Sequence, residues 1–318
     1  MMKSIQGMTG YSILGKIASG GMGSVYLAEQ KGAESFRKTV AVKIIKKDML
    51  NNSESLDLFI GEAKLTADLV HQNILQVYQL GKTEAGTFYI VMEYVHGRTV
   101  NQFMKRLKKR GIKIDIEMGA FIISRVCRGL AYAHRKKDRD GNLLRIVHRD
   151  VTPSNIIIDY QGFVKLMDFG IAKALTMNTP DERQVIMGKL PYMSPEAAKF
   201  IGTDPRSDIF SLGLVMYELL TGYTVYNVKS INELLEKMNK YRIKKPSRLN
   251  PHISARLEEI ILKALEVNPE KRYENAEEML EAIEVYLYHD RYGPTNEKLA
   301  KYIEELYPEV NKDVVEVT

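Results

Sequence analysis

The chain is expected to fold as an α+β protein of two lobes: a small β-rich N-terminal lobe with one main helix, and a larger, mostly helical C-terminal lobe. Three observations predict this. The first 95 residues carry about five β-rich runs and one stretch of helical periodicity. After residue 97 helical patterns dominate, interrupted by two short apolar runs. No internal repeat or low-complexity linker breaks the 318 residues, a length that suits one large domain or two lobes.

The elements follow in order. YSILGKIASGG and GSVYLAEQ are β-rich runs flanking glycines, a hairpin signal. TVAVKII is a third strand, with Ala41 and Lys43 on one face and Val40, Val42 and Ile44 on the other. LDLFIGEAKLTADLVH has its apolar residues at helical spacing, and ILQVYQLGKTEAGTFYIVMEYV gives two strands around a polar turn. Beyond a short connector come the helices NQFMKRLKKR and EMGAFIISRVCRGLAYAHR, then the short runs NIIID and VKLMD. SDIFSLGLVMYELLTG, NELLEKMNKY, ARLEEIILKAL and NAEEMLEAIEVYLYH complete the helical lobe. In the tail, Leu299, Ile303 and Leu306 share a helical face, which predicts a helix packed back onto that lobe. A cleft between the lobes is the expected ligand site.

Composition excludes several classes. Hydrophobic residues make up 45% and charged residues 27%, ordinary for a folded protein. Cys127 is the one cysteine, so no internal disulfide forms and a reducing, cytoplasmic setting is expected. Within its helix Cys127 is expected to be a small buried apolar residue. The six histidines show no metal-ligand spacing. No run reaches the roughly 20 apolar residues of a membrane helix. The N-terminus lacks the apolar core of a signal peptide, so no membrane anchor or sensor domain is expected. The net charge of +6 is mild, and the densest basic run, KRLKKRGIK, has no interleaved aromatics. A solvated helix face is expected there, and no nucleic-acid partner.

The chemistry concentrates in a few motifs. IASGGMGSV, residues 17 to 25, brings glycines between two strands. That arrangement suits a hairpin lid whose amides approach phosphates, unlike a Rossmann or Walker loop, which runs into a helix. Lys43 in an apolar strand is costly unless it is paired or faces a charged ligand. Glu62, flanked by Ile60, Ala63 and Leu65, is its expected partner. HRDVTPSN at 148–155, DFG at 168–170 and SPE at 194–196 follow in that order.

With these motifs the sequence resembles the protein kinase family, most closely the bacterial serine/threonine kinases that share the eukaryotic fold. The resemblance covers about residues 11–290: a small lobe at 11–92, a hinge at 93–97 and a large lobe at 98–290, with a short helical tail at 291–318. It implies an ATP- and Mg²⁺-dependent phosphoryl transferase acting on protein serine and threonine hydroxyls, with Mn²⁺ as an alternative ion. By that resemblance Ile17, Ala18, Ser19, Gly20, Gly21, Met22, Gly23 and Ser24 form the lid over ATP. Val25 and Ala41 cover the adenine, Ile157 lies beneath it, Glu93 and Val95 bond its edge, and Met92 is the gatekeeper. Lys43 holds the phosphates and is oriented by Glu62. Asp168 and Asn155 are the metal ligands. Asp150 accepts the proton of the attacking hydroxyl, and His148 packs the loop. Arg149 pairs with a phosphorylated activation segment, for which Thr176 and Thr179 are the candidate sites. Glu196 pairs with Arg272, and Asp208 anchors the catalytic loop. Protein substrates are the expected partners, with a transient homodimer for trans-autophosphorylation. Pro153 and the YMSPE run favour serine/threonine over tyrosine, and Ile171 a threonine preference.

Four departures stand out. Thr152 replaces the lysine usual in the catalytic loop, and Lys189 replaces a threonine of the activation segment that ordinarily bridges to it. An active enzyme is expected, with Lys189 supplying part of the missing positive charge. Ala18 replaces the first lid glycine, and KKDRDGN is an inserted exposed hairpin or loop. Two alternatives compete. One is a weak pseudokinase scaffold that binds nucleotide, supported by Thr152 and Lys189. The other is a small-molecule kinase, opposed by the SPE segment and its arginine.

Overall fold

The structure, a computed structural model, describes residues 10–21, 23–50, 53–169, 189–240 and 242–309. The chain divides into two compact units, residues 1–95 with 169–185, and residues 96–168 with 186–318.

The first unit is a five-stranded antiparallel sheet in the order β1–β2–β3–β5–β4. The strands are β1 (Tyr11–Ser19), β2 (Gly23–Lys31), β3 (Arg37–Ile45), β4 (Val77–Lys82) and β5 (Phe88–Glu93). One face carries the core Tyr11, Ala28, Val40, Val42, Tyr89 and Val91, with Ile13 and Ile44 against it. Period-two alternation therefore turns Ala41 and Lys43 to the opposite face, as expected. A four-residue helical turn, α1 (Lys47–Leu50), precedes the main helix α2 (Ser53–Ala67). Phe59 and Ala63 of α2 are buried, which places Glu62 beside them at the helix's inner side.

The second unit is mainly helical. A three-stranded ribbon, β6 (Gly97–Thr99), β7 (Ile156–Asp159) and β8 (Val164–Leu166), lies at its start. β6 overlaps the expected 93–97 hinge only at Gly97 and otherwise covers residues given no element from sequence, because three residues are too few for a periodicity signal. Helix α3 (Val100–Arg110) opens on a capping box between Thr99 and Gln102 and stops at Gly111, φ +68°. Helix α4 (Ile116–His134) is capped by Asp115. The four-residue α5 (Pro195–Ala198) precedes α6 (Pro205–Thr221), which has Asp204 as N-cap and Gly222 as left-handed C-cap. α4 and α6 are buried along most of their length, and Cys127 lies in α4 fully enclosed. Burial pushes its thiol far up, so it is inert, as expected.

The remaining helices are α7 (Ile231–Lys240), α8 (Pro246–Leu249), α9 (Ala255–Ala264), α10 (Ala276–Tyr288) and α11 (Asn296–Leu306). α11 packs back onto its own unit: Leu299, Ile303 and Leu306 are buried, as their spacing predicted. The insertion forms an exposed hairpin closed by a Lys137–Leu143 bridge. The basic run is not wholly the solvated face expected. Arg106 Nε donates to Leu306 O at 3.0 Å and Arg110 Nη1 to Glu305 O at 2.8 Å, so two of its cations cap the C-terminal carbonyls of α11. Among the described residues no helix is long and apolar enough to cross a membrane.

Candidate active site

The candidate residues fall in both units, and each group has its own geometry. In the first unit, the turn between β1 and β2 closes with Gly20 N donating to Gly23 O at 2.8 Å. Ile17, Ala18 and Ser19 end β1, Ser24 and Val25 begin β2, and Ala18 pairs with Val25. Ser19 Oγ and Ser24 Oγ lie 3.2 Å apart. Ala18 is extended strand, so the departure from glycine needs no left-handed backbone there. Gly20 and Gly23 do not use positive φ either. Glycine is required at 23 because a Cβ would sit 2.5 Å from the Ile44 carbonyl oxygen. Gly21 is exposed, and Met22 lies outside the described residues.

β2–β3 pairing sets Val25 opposite Lys43 and Leu27 opposite Ala41, and β3–β5 pairing sets Ala41 opposite the buried Met92. Lys43 Nζ lies 3.0 Å from Glu62 Oε1, with side-chain exposures of 13% and 11%. A pair this enclosed has lost most of its water, so the ammonium is fixed in direction. Glu93 donates its N–H to Gln76 O at 2.9 Å, and Gln76 N donates to Glu93 Oε2 at 3.3 Å, pinning the end of β5 from which Tyr94 and Val95 continue.

In the second unit the loop 148–155 is fixed from below by Asp208 of α6. Its Oδ2 accepts from His148 N at 2.7 Å and lies 2.9 Å from His134 Nε2, and its Oδ1 accepts from Arg149 N at 2.8 Å. Burial pushes Asp208 up, but the His134 bond and the neighbouring His134 and His148 outweigh it and hold the carboxyl below the usual range. Arg149 adopts φ +61°, a strained conformation for arginine that these two amide bonds enforce. Arg149 Nε donates to Thr203 Oγ1 at 3.0 Å. His148 is fully buried and bonds Met167 O through Nε2 at 3.2 Å, the packing role expected of it.

Asp150 and Asn155 meet. The Asn155 Nδ2 donates to Asp150 O at 2.9 Å and to Asp150 Oδ2 at 2.5 Å. Lys189 Nζ donates to the same Oδ2 at 2.8 Å. With its nitrogen committed to two acceptors, the Asn155 amide turns its oxygen the other way. Asn155 immediately precedes β7, and Asp168 lies two positions beyond the end of β8, after Met167. Met167 N donates to Asn155 O at 2.9 Å, so both residues sit at one end of the same ribbon. Asp168 takes φ +57°, a further strained non-glycine position. Among the described residues no three His, Cys, Asp or Glu gather as a metal cage. One carboxylate and one amide oxygen fit a hard ion such as Mg²⁺, whose other ligands are ordinarily phosphate oxygens and water. Ile157 lies on β7, half-buried. Gly170, Ile171, Thr176 and Thr179 lie outside the described residues.

Glu196 and Arg272 form the expected pair, bidentate at 2.7 and 3.0 Å, and Ser207 Oγ donates to Glu196 Oε1 at 2.6 Å. Three contacts escape sequence reasoning. They are the His134–Asp208 bond, the 2.5 Å bond from Tyr192 Oη to Glu218 Oε2, and the sharing of one Asp150 oxygen by Lys189 and Asn155. For His134 a signal existed, a lone histidine closing an apolar helix. The other two depend on how distant segments pack.

The family of the protein kinase domain matches residues 11–283. The chain is 36% identical to the tyrosine-protein kinase MasK of Myxococcus xanthus over 277 residues, 87% of this chain and 43% of the relative. It is 37% identical to the serine/threonine-protein kinase PrkC of Bacillus subtilis over 269 residues, 85% of this chain and 39% of the relative. The chain thus spans about two fifths of the length of these curated relatives. The crystal structure of the Mycobacterium tuberculosis PknI kinase domain superposes with a TM-score of 0.63 at 25% identity, covering 89% of this chain and 99% of that one.

Proposed function

This chain belongs to the protein kinase family, and on that premise we propose that it transfers the γ-phosphoryl group of ATP to serine and threonine hydroxyls of proteins, itself included. The observation that carries the reading is the buried Asp150 carboxylate, held by Asn155 and Lys189 on a loop fixed by Asp208. A carboxylate so oriented is a base for a hydroxyl. In the reaction the substrate oxygen attacks the γ-phosphorus as the bond to the β-phosphate oxygen breaks. ADP leaves, and the hydroxyl proton passes to Asp150.

Asn155 and Asp168 would hold the magnesium, which neutralises phosphate charge. Lys43, kept in place by Glu62, would grip the α- and β-phosphates. Ile17, Val25, Ala41 and Ile157 would enclose the adenine, and the backbone of Glu93 and Val95 would bond its edge. The lid from Ala18 to Ser24 would cover the phosphates. Engagement of one nucleotide by residues of both units rests on family membership. The formed Lys43–Glu62 pair and the assembled loop favour turnover over a nucleotide-binding scaffold. The cytoplasm, protein substrates, a transient homodimer and phosphorylation at Thr176 and Thr179 belong to the same proposal.

The test is ATP- and Mg²⁺-dependent transfer to the chain and to a generic basic protein, beside Asp150→Asn. Phosphoserine and phosphothreonine are expected, with modification mapped to Thr176 or Thr179. Transfer no greater than that of Asp150→Asn overturns the reading, and phosphotyrosine alone overturns its specificity.

A further inference from the structure

The side chain of Asp150 is 3% exposed. A carboxylate this far from water needs a counter-charge close by. Its own loop offers none at 152, where a buried, uncharged threonine stands two residues along. The counter-charge comes from 39 residues further on, in Lys189, whose ammonium reaches Oδ2 at 2.8 Å. Asn155 Nδ2 occupies the same oxygen. Two donors on one oxygen fix both the torsion and the plane of the carboxylate.

Lys189 is anchored through the residues on its C-terminal side. Tyr192 N donates to Lys189 O at 2.9 Å, closing a short turn over Leu190–Tyr192, and Leu190 is fully buried. The Tyr192 hydroxyl donates to Glu218 of α6. Ser194 caps α5, and Glu196 is clamped by Arg272. The cation that orients the base thus rides on a segment with its own anchors, separate from those of the catalytic loop.

We propose that Lys189 is a positioning residue for Asp150, doing from the activation segment what Thr152 cannot do from the loop, so that alignment of the base is conditional on the seating of residues 189–196. This rests on the phosphoryl-transfer reading. A lysine within the loop would hold the carboxylate whatever the segment did. A lysine on the segment withdraws with it, and takes the 2.8 Å ammonium contact away from a buried carboxylate.

The test is a kinetic cycle at varied Mg-ATP with a basic protein as acceptor. Lys189→Ala lowers kcat by about 100-fold, on the scale of losing one preorganised charged donor, while KM for ATP stays within about threefold. Lys189→Arg retains most of the activity. Tyr192→Phe, which cuts the tether without touching Asp150, lowers kcat by roughly three- to tenfold, the loss expected for one hydrogen bond to a charged group. In the Lys189→Ala background Tyr192→Phe has no further effect, because the cation it positions is already gone. A Lys189→Ala enzyme within about twofold of wild type on that scale, or losses that multiply in the double variant, overturns the proposal. A chain with no transfer at all defeats the parent reading separately. The contact is then read by amine acylation followed by mass spectrometry. Asp150→Asn must raise labelling of Lys189, and unchanged labelling overturns the positioning role.

Discussion

Arg272 commits all five of its N–H donors. Nε donates to Glu266 O, Nη1 to Glu196 Oε1 and Arg206 O, and Nη2 to Glu196 Oε2 and Val267 O. Its side chain is fully buried, so each bond replaces one with water that cannot be recovered. Arg272→Ala would strand the Glu196 carboxylate and is expected to cost roughly 3–5 kcal/mol of stability, measured by denaturant unfolding. An unchanged midpoint would refute the account. Burial pushes Glu196 up, but the bonds from Arg272 and Ser207 outweigh it, so the folded carboxyl titrates below its ordinary value. A depressed carboxylate contributes stability above the unfolded pKa and loses it as pH falls through the folded one. The acid limb of the stability profile is therefore expected to be shallower in Glu196→Gln than in the wild type. The pairing of 196 with 272 was legible through the resemblance to the protein kinase family, which implies it. The five-fold satisfaction of the arginine was not, since three of its acceptors are main-chain carbonyls without sequence identity.

Helix α11 shows the same division one level up. Its apolar face, Leu299, Ile303 and Leu306, was legible from spacing alone. Its docking place was not, because that depends on features with no periodicity. Gly162, at φ +83°, lies so close to Asn296 that an added Cβ would overlap its carbonyl oxygen. Arg106 and Arg110 cap the far end of the helix, and Arg106 also lies 5.2 Å from the centre of the Tyr307 ring. Tyr307 Oη donates to Gln102 O at 3.4 Å, so the tail closes over α3. The helix is thus bound at both ends as well as along its face. Ile303→Ala is expected to lower stability by about 2–5 kcal/mol, as a cavity left among fixed neighbours does. Gly162→Ala combines an unfavourable backbone with the overlap and is expected to expose α11 to limited proteolysis. Protection of the tail equal to wild type would show that the close approach does not matter. The β1–β2 turn makes a related point: a glycine cluster signals proximity as well as left-handed φ, and Gly23 serves the former.

At the scale of the molecule, the sequence orders the candidate residues, and each unit assembles those it contains. Lys43 meets Glu62 in the first, and Asp150 meets Asn155 and Lys189 in the second. Thr152 and Lys189 show how far the motifs reach. Read together as departures, they lead to the expectation that Lys189 supplies charge missing at 152, but the atom it meets, Asp150 Oδ2 at 2.8 Å, needed the structure. The proposed division of labour separates binding from chemistry. In it Asp168 would hold the metal and Lys43 the phosphates, whereas Asp150 would address the hydroxyl. Ligand binding raises the unfolding temperature by mass action in proportion to its affinity for the folded state. Mg-ATP is therefore expected to stabilise wild type and Asp150→Asn about equally, although the latter transfers no phosphate. Asp168→Asn should lose the magnesium-dependent part of the shift, and Lys43→Met most of it at the same nucleotide concentration. Asp150→Asn removes a charge from a buried site that still holds Lys189, so its ligand-free unfolding temperature is the baseline for its own shift. If Asp150→Asn loses the Mg-ATP shift, or Asp168→Asn keeps its magnesium dependence, these residues do not divide binding from phosphoryl transfer in the way assigned to them.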